Sequence, residues 1–421
     1  MRITVYRPNQ IGGCITEIES KAGTRIIIDI GSNLPGNGDG EKVDVKTLTD
    51  PGRCAGVFVT HYHGDHIGEY KNVHCKTNVY IGEVAKQVFS TLQTRLSKSE
   101  ELTGVSPGDV VKVKDFITFT HGTPITTIPG FTITPIRTDH SAYDSYMFLI
   151  DDGDKCVLHT GDFRTHGWTG ESALEKLAEY AGNINALICE GTMLSRPGSR
   201  VYTEADLYHD ARKLLHYNNN VFVLCSSTNI DTIASFYKAA QKEGRRVVVD
   251  GYQRSILEAV MENTGNQLYQ MKNAEVYLPD VQYKKQKHIE DRQKKIDRMN
   301  DKGFCMFIRA TPFFKEPLTL FRNNLIIYSM WEGYLEKDKP FADKRIIKFI
   351  DKAKSNGSII LPLHTSGHAD EETILKICEI TKPDIILPIH SERSDRFEEL
   401  KTERKIAGRI KRMEHKESIE V

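Results

Sequence analysis

Apolar positions in the first half of the chain come in short, β-branched runs: TRIIIDIG (24–31), AGVFVTH (55–61), TNVYIG (77–82), FTITPIRT (131–138), YMFLID (146–151), KCVLHTG (155–161) and INALICE (184–190). Runs of this length, bounded by Gly, Pro and polar residues, predict strands. Helical spacing is rarer here, in EVAKQVFSTLQTRL (83–96) and ESALEKLAEYAG (171–182), so the strands are expected to layer on one another rather than alternate with helices. From about residue 203 the rhythm changes. TEADLYHDARKLLHY, NVFVLCSS, IDTIASFYKAAQKEG, RRVVVD and YQRSILEAVMENT alternate helix with strand, the pattern of a parallel sheet flanked by helices. The segment 281–299 reads as a basic, solvated helix, and 401–416 as another. SIILPLH, DEETILKICEITK and DIILPIH near the end of the chain read as a βαβ unit.

Composition narrows the class. At ~150 residues per domain, 421 residues suggest two or three domains with a large core. Charged residues at 27% and hydrophobic ones at 39% exclude a disordered chain. With 57 Lys plus Arg against 57 Asp plus Glu, binding of nucleic acid by bulk charge is excluded, and any such contact must come from local patches. The eight cysteines include no CxxC pair, which argues against a zinc ribbon or a disulfide framework and fits a reducing cytosol. The start MRITVYRPNQ lacks a basic segment leading into an apolar one, and no uncharged apolar run approaches ~18 residues. The expectation is a cytoplasmic protein with no membrane partner.

The most informative stretch is VFVTHYHGDHIGEY, with His61, His63, Asp65 and His66 at the end of an apolar run. Alternate residues of an extended segment point the same way, so His61 and His63 can reach one metal ion while Asp65 and His66, turning into a helix, reach a second. Four ligand-type side chains within six residues are costly to desolvate unless something binds them. Two further features are ambiguous. Ser226, Ser227, Thr228 and Asn229 lie where a helix opens, an anion-binding position that such residues also occupy simply as caps. His121, His159 and His166 have no second ligand at fixed spacing and read as ordinary histidines.

The His-x-His-x-Asp-His pattern resembles the metallo-β-lactamase superfamily, and the other motifs follow in order: Asp29 in IIIDIG, His140 in TDHSAYDS and Asp162 in HTGDFR. Glu190 in LICEGTM, His368 in HTSGHAD and His390 in LPIHSE resemble motifs A, B and C of its β-CASP branch, the nucleases that include RNase J and the mRNA 3′-end cleavage endonuclease. The resemblance implies an α/β fold: an αββα sandwich over 1–195 and 356–421, interrupted by a β-CASP α/β cap over 196–355. About 30 residues follow His390, so the separate carboxy-terminal domain of RNase J is expected to be absent.

By the same resemblance His61, His63 and His140 would hold one divalent ion, and Asp65, His66 and His390 another, with Asp162 bridging. Zinc is the expected metal, with manganese open because carboxylates stand at both ions. Two such ions share and activate a water for attack on a phosphodiester. Asp29 would orient a ligand, His368 supported by Glu190 would protonate the leaving oxygen, and His364, Ser366 and Gly367, with Ser226, Ser227 and Asn229, would hold phosphates. The implied substrate is single-stranded RNA, cut internally or from an end. A DNA nuclease, a small-molecule hydrolase of the same fold and a non-catalytic scaffold are the alternatives; His390 favours RNA over DNA, and the full ligand set argues against a scaffold. Oligomeric state is left open.

Overall fold

The computed structural model describes residues 1–34, 36, 41–196, 201–279, 289–404 and 406–421. The chain divides into two compact units, Met1–Val201 with Gly367–Val421, and Tyr202–Ser366. The excursion into the second unit thus begins and ends later than the expected 196 and 355.

The first unit opens with β1 (Arg2–Tyr6), β2 (Ile15–Glu19), β3 (Arg25–Ile28), β4 (Val57–Phe58), β5 (Val79–Gly82) and β6 (Ile117–Phe119). It continues with β7 (Thr132–Thr138), β8 (Ser145–Asp151), β9 (Cys156–His159) and β10 (Ala186–Glu190). The second unit contributes β11 (Asn220–Leu224), β12 (Arg246–Val249), β13 (Glu275–Val276), β14 (Phe304–Ile308), β15 (Leu325–Tyr328) and β16 (Ile359–Pro362). The chain then returns to the first with β17 (Ile385–Ile389), β18 (Arg409–Ile410) and β19 (Glu417–Glu420).

Two sheets form the first unit, in the orders β19-β1-β2-β3-β4-β5-β6 and β18-β17-β10-β9-β8-β7. Their facing sides share one core: Ile26, Ile28 and Phe58 of the first sheet pack with Phe148, Val157 and Ile188 of the second. The alternate residues Met147, Leu158, Leu187 and Cys189 pack on the other face with Leu174 and Leu177 of helix Gly170–Tyr180 and Ile374 and Ile377 of helix Glu371–Thr381. With both faces covered, the strands read as unbroken apolar runs rather than alternating ones. Helix Glu83–Leu96, whose Val84, Val88 and Phe89 are buried, immediately follows β5 of the first sheet. This is the αββα sandwich that the motifs imply.

The second unit is a six-stranded parallel sheet in the order β13-β12-β14-β11-β15-β16. Its helices start at side-chain caps: Thr203, in a capping box with Asp206, opens Glu204–Tyr217, while Asn229 and Asp250 open Ile230–Lys242 and Gly251–Met261.

Two readings need correction. SIILPLH does not join DIILPIH in one sheet. β16 pairs with β15 in the second unit, whereas β17 pairs with β10 in the first. An apolar run predicts a strand but not its partner, and β16 is an edge strand with Ile359 62% exposed. The closing basic segment is not one helix: helix Arg396–Arg404 ends and β18 follows, pairing with β17. Of the basic stretch 281–299, residues 281–288 lie outside the described residues, and the remainder belongs to helix Ile289–Lys302.

Candidate metal centre

The histidine motif sits where the first sheet runs out. After β4 the chain bends towards His63, itself extended (φ −69°, ψ 148°), which occupies the N-cap position of the short helix Gly64–Ile67. Asp65 stands in the first turn of that helix and His66 in its last. Two loops clasp it from below. The Ile30 amide donates to the His66 carbonyl at 2.8 Å, and the Cys14 amide donates to the Asp65 carbonyl at 3.0 Å. Gly31 is glycine of necessity: a Cβ there would stand 1.7 Å from the Asp65 carbonyl oxygen. The motif is therefore held by backbone on both sides before any side chain is considered.

Around it, ligand-type atoms from five segments converge. Those of His61, His63 and His140 all lie within 4.8 Å of one another, as do those of Asp65, His66, Asp162 and His390. Asp162 stands between the sets, its Oδ2 3.8 Å from His61 Nε2 and 3.1 Å from His66 Nε2, its Oδ1 3.9 Å from His390 Nδ1. A third set joins Asp162 and His390 to Glu190 and His368.

Outer partners fix which ring nitrogens face inward. His140 Nδ1 donates to the Gly367 carbonyl at 2.6 Å, leaving Nε2 as a lone pair 3.2 Å from His63 Nδ1. Residue 367 is glycine because a Cβ would press against His140 Cε1 at 2.8 Å. His66 Nδ1 donates to Asp29 Oδ2 at 2.7 Å, and Asp29 also accepts from the Thr60 amide and hydroxyl. Asp29 thus faces the back of a ring rather than the cluster. Nδ1 of His390 meets the Thr192 hydroxyl at 2.7 Å, which turns Nε2 towards Asp65 at 3.3 Å. Asp29 and His390 each follow a strand at positive φ, 59° and 50°, and strained non-glycine residues of this kind gather at functional sites.

The electrostatics divide the cluster. Burial, reinforced by neighbouring imidazoles, holds His61 and His140 well below the usual histidine range, and burial lowers His63 to about 4 against the pull of Asp65 and Asp162. All three are neutral near pH 7, the form that binds a cation. For His66 and His390, burial is overridden by carboxylates, Asp162 foremost, and both rise well above the usual range. Asp65 and Asp162 are held below the ordinary carboxylate range by these imidazoles despite burial. His61 Nε2, His66 Nε2 and Asp162 Oδ1 are buried and have no hydrogen-bond partner. Buried, unpaired polar atoms of two imidazoles and a carboxylate gathered in one cluster fit cation binding.

On the open side of Asp162 stands a different pair. His368 Nδ1 lies 3.0 Å from Glu190 Oε2 and 3.5 Å from Asp162 Oδ2, and its side chain keeps 22% exposure while Glu190 has none. Glu190 is locked by the amides of Phe163 and Ala369 on Oε1. Burial opposes charge on His368, but the charges of Glu190 and Asp162 and the Glu190 hydrogen bond outweigh it and raise its pKa.

Other predicted residues fall elsewhere. His364 and Ser366 belong to the second unit, as do Ser226, Ser227 and Asn229. There Asn229 caps its helix and the Ser227 hydroxyl accepts from Arg309 at 2.9 Å, while Ser226 pairs with Thr228 at 3.0 Å. Gly367, expected at phosphate, gives its carbonyl to His140. One neighbour of the cluster was absent from the sequence reading: Cys14, whose ligand atom lies within 4.8 Å of those of His66 and His390. No local spacing signals it, because its partners stand 52 and 376 residues away.

Family comparisons agree with this geometry. Residues 24–209 match a beta-lactamase superfamily domain and residues 358–410 a Zn-dependent metallo-hydrolase RNA specificity domain. Ribonuclease J of Synechocystis is 22% identical over 81% of this chain and 52% of its own length, and Ribonuclease J of Thermus thermophilus 24% identical over 62% and 45%. The chain spans about half the length of these curated relatives. A crystal structure of a protein of unknown function from Enterococcus faecalis V583 shares the fold, with a TM-score of 0.71 at 20% identity over 99% of both chains. Among the described residues no helix is long and apolar enough to cross a membrane. The chain is thus similar to the metallo-β-lactamase superfamily and, within it, to the Ribonuclease J proteins, and its buried histidine and aspartate cluster has the donor set of a metal-binding site.

Proposed function

We propose that the protein is a metal-dependent ribonuclease acting on single-stranded RNA, with two divalent ions, zinc by preference, in the cluster around Asp162. The observation that carries this reading is the adjacency of two kinds of group: orphaned ligand atoms on one side of Asp162, and the His368–Glu190 pair on the other. His61, His63 and His140 would hold one ion, Asp65, His66 and His390 the second, and Asp162 would reach both. Bound cations in such a site lower the pKa of a shared water and neutralise the charge of a phosphodiester under attack.

The protein's own groups do the rest. Asp29 and the Gly367 carbonyl accept from Nδ1 of His66 and His140, and so would turn Nε2 of each ring towards a bound ion. His368, charged under the influence of Glu190, donates its proton to the departing 3′-oxygen. The RNA-specificity family match and the named activity of the Ribonuclease J relatives support RNA as the substrate. His364 and Ser366, with hydroxyls at Ser226 and Ser227, are assigned to phosphates along the RNA. All eight cysteines are free thiols, which supports residence in a reducing cytoplasm.

The test is incubation of zinc-loaded protein with end-labelled single-stranded RNA and DNA of matched sequence. Cleavage of RNA well ahead of DNA is expected. Cleavage of DNA alone would replace this reading with a DNA nuclease, and inertness towards both with a small-molecule hydrolase or scaffold.

A further inference from the structure

Cys14 is placed unlike the chain's other thiols. Cys189 and Cys378 pack into the apolar core on the outer face of the second sheet, whereas the neighbours of the Cys14 sulfur are the imidazoles of His66 and His390. It is 6% exposed. Gly12 and Gly13 precede it at φ of 86° and 73°, a turn open chiefly to glycine, and carry the chain in beneath the metal-binding helix. Its amide donates to the Asp65 carbonyl at 3.0 Å and its carbonyl accepts from the Gly31 amide at 2.9 Å. The position of the sulfur is thus fixed by the same backbone that presents Asp65 and His66.

A thiol at this point has a bland reading, that of a small residue filling space. Two observations argue against it. A ring nitrogen of His66 lies within 4.8 Å of the sulfur, and with Nδ1 of that ring on Asp29 its Nε2 is buried and left without a hydrogen-bond partner. The other member, His390, is held with its Nδ1 on Thr192, so that its remaining nitrogen faces the cluster. An apolar filler would offer these imidazoles no further donor for a shared cation, whereas a soft anionic sulfur adds one.

We propose that Cys14 is a ligand of the ion held by His66 and His390, and that its thiolate gives this position a preference for zinc over manganese. The proposal rests on the two-ion reading above. On binding, the thiol releases its proton to solvent as the sulfur–metal bond forms. Zinc is borderline-soft and takes thiolate readily, whereas manganese favours oxygen donors, so one sulfur among imidazoles and carboxylates shifts the balance between them.

Cobalt(II) serves as the probe, because thiolate ligation gives it an intense charge-transfer band in the near ultraviolet that imidazole and carboxylate do not. The wild-type chain should take up two cobalt ions and show this band. Cys14→Ser should take up the same amount, keep the visible ligand-field bands and lose the ultraviolet one. Chelator competition should then show the preference for zinc over manganese falling about tenfold or more, at least what loss of an outer partner costs. Cys14→Ala is the second variant should the serine disturb folding, which circular dichroism reads. Two bound cobalt ions without the band, or a band that survives in Cys14→Ser, would overturn the role of Cys14 and leave the two-ion site standing. Failure of the folded wild type to bind cobalt would overturn both.

Discussion

At the scale of single residues, the proposed site separates side chains that would hold a cation from those that aim them, and substitutions should distinguish the two. In the proposed mechanism, His368→Ala removes the proton donor and no inward ligand of the three-histidine set. It should retain metal and lose ~10²-fold or more in RNA cleavage, with a smaller loss on a nitrophenyl phosphodiester, whose leaving group needs no proton. Equal losses on both substrates would assign His368 to structure instead. The raised pKa of His368 sets the sign of the pH dependence. With the acid form as the working one in the proposed mechanism, cleavage by the wild type should fall as pH rises through the raised value, above the ordinary ~6.5. A pH–rate profile of His368→Ala should lack that decline. Gly367→Ala tests the aiming groups, because its Cβ would press on His140 Cε1 at 2.8 Å and push the ring from the carbonyl that orients it. Zinc affinity, measured by chelator competition, should drop ~10–100-fold.

These residues differ in how plainly the sequence declares them. His61, His63, Asp65 and His66 are adjacent in the chain, and alternation along an extended segment already brings them together. Gly367 stands in a recognisable motif but acts through its carbonyl, which no side-chain pattern encodes. Cys14 reaches His66 and His390 only through the folded loops, so spacing is silent about it.

Elements were legible to the extent that burial on both faces makes a run continuously apolar. INALICE and YMFLID belong to strands of this kind, with Ile188 and Phe148 turned to one face and Leu187 and Met147 to the other. AGVFVTH was legible as a strand, yet β4 proper is only Val57–Phe58, because the residues beyond it bend away to present ligands. Partnering was not legible, as the placement of β16 shows. The sandwich core offers a direct stability test. Phe148 is fully buried and packs edge-on against Phe58 and Phe119 at 5.9 and 5.4 Å between ring centres. Truncation to alanine should cost ~3–5 kcal/mol in denaturant unfolding of the first unit. A change below about 1 kcal/mol, far under the usual range for a buried Phe, would mean that the sheets do not share the core described.

For the whole molecule, the balance of 57 basic and 57 acidic residues directs attention away from general charge and towards the site itself. On the proposed reading, catalysis would draw on cations that the chain binds rather than on its own surplus of charge. The most direct test is to strip the protein with chelator, add zinc in steps, and follow cleavage of end-labelled RNA against zinc bound per chain. The account expects a folded but inactive stripped protein, with activity rising to a plateau at two bound ions. Undiminished cleavage by the metal-free protein, or a folded chain that takes up no zinc, would contradict it.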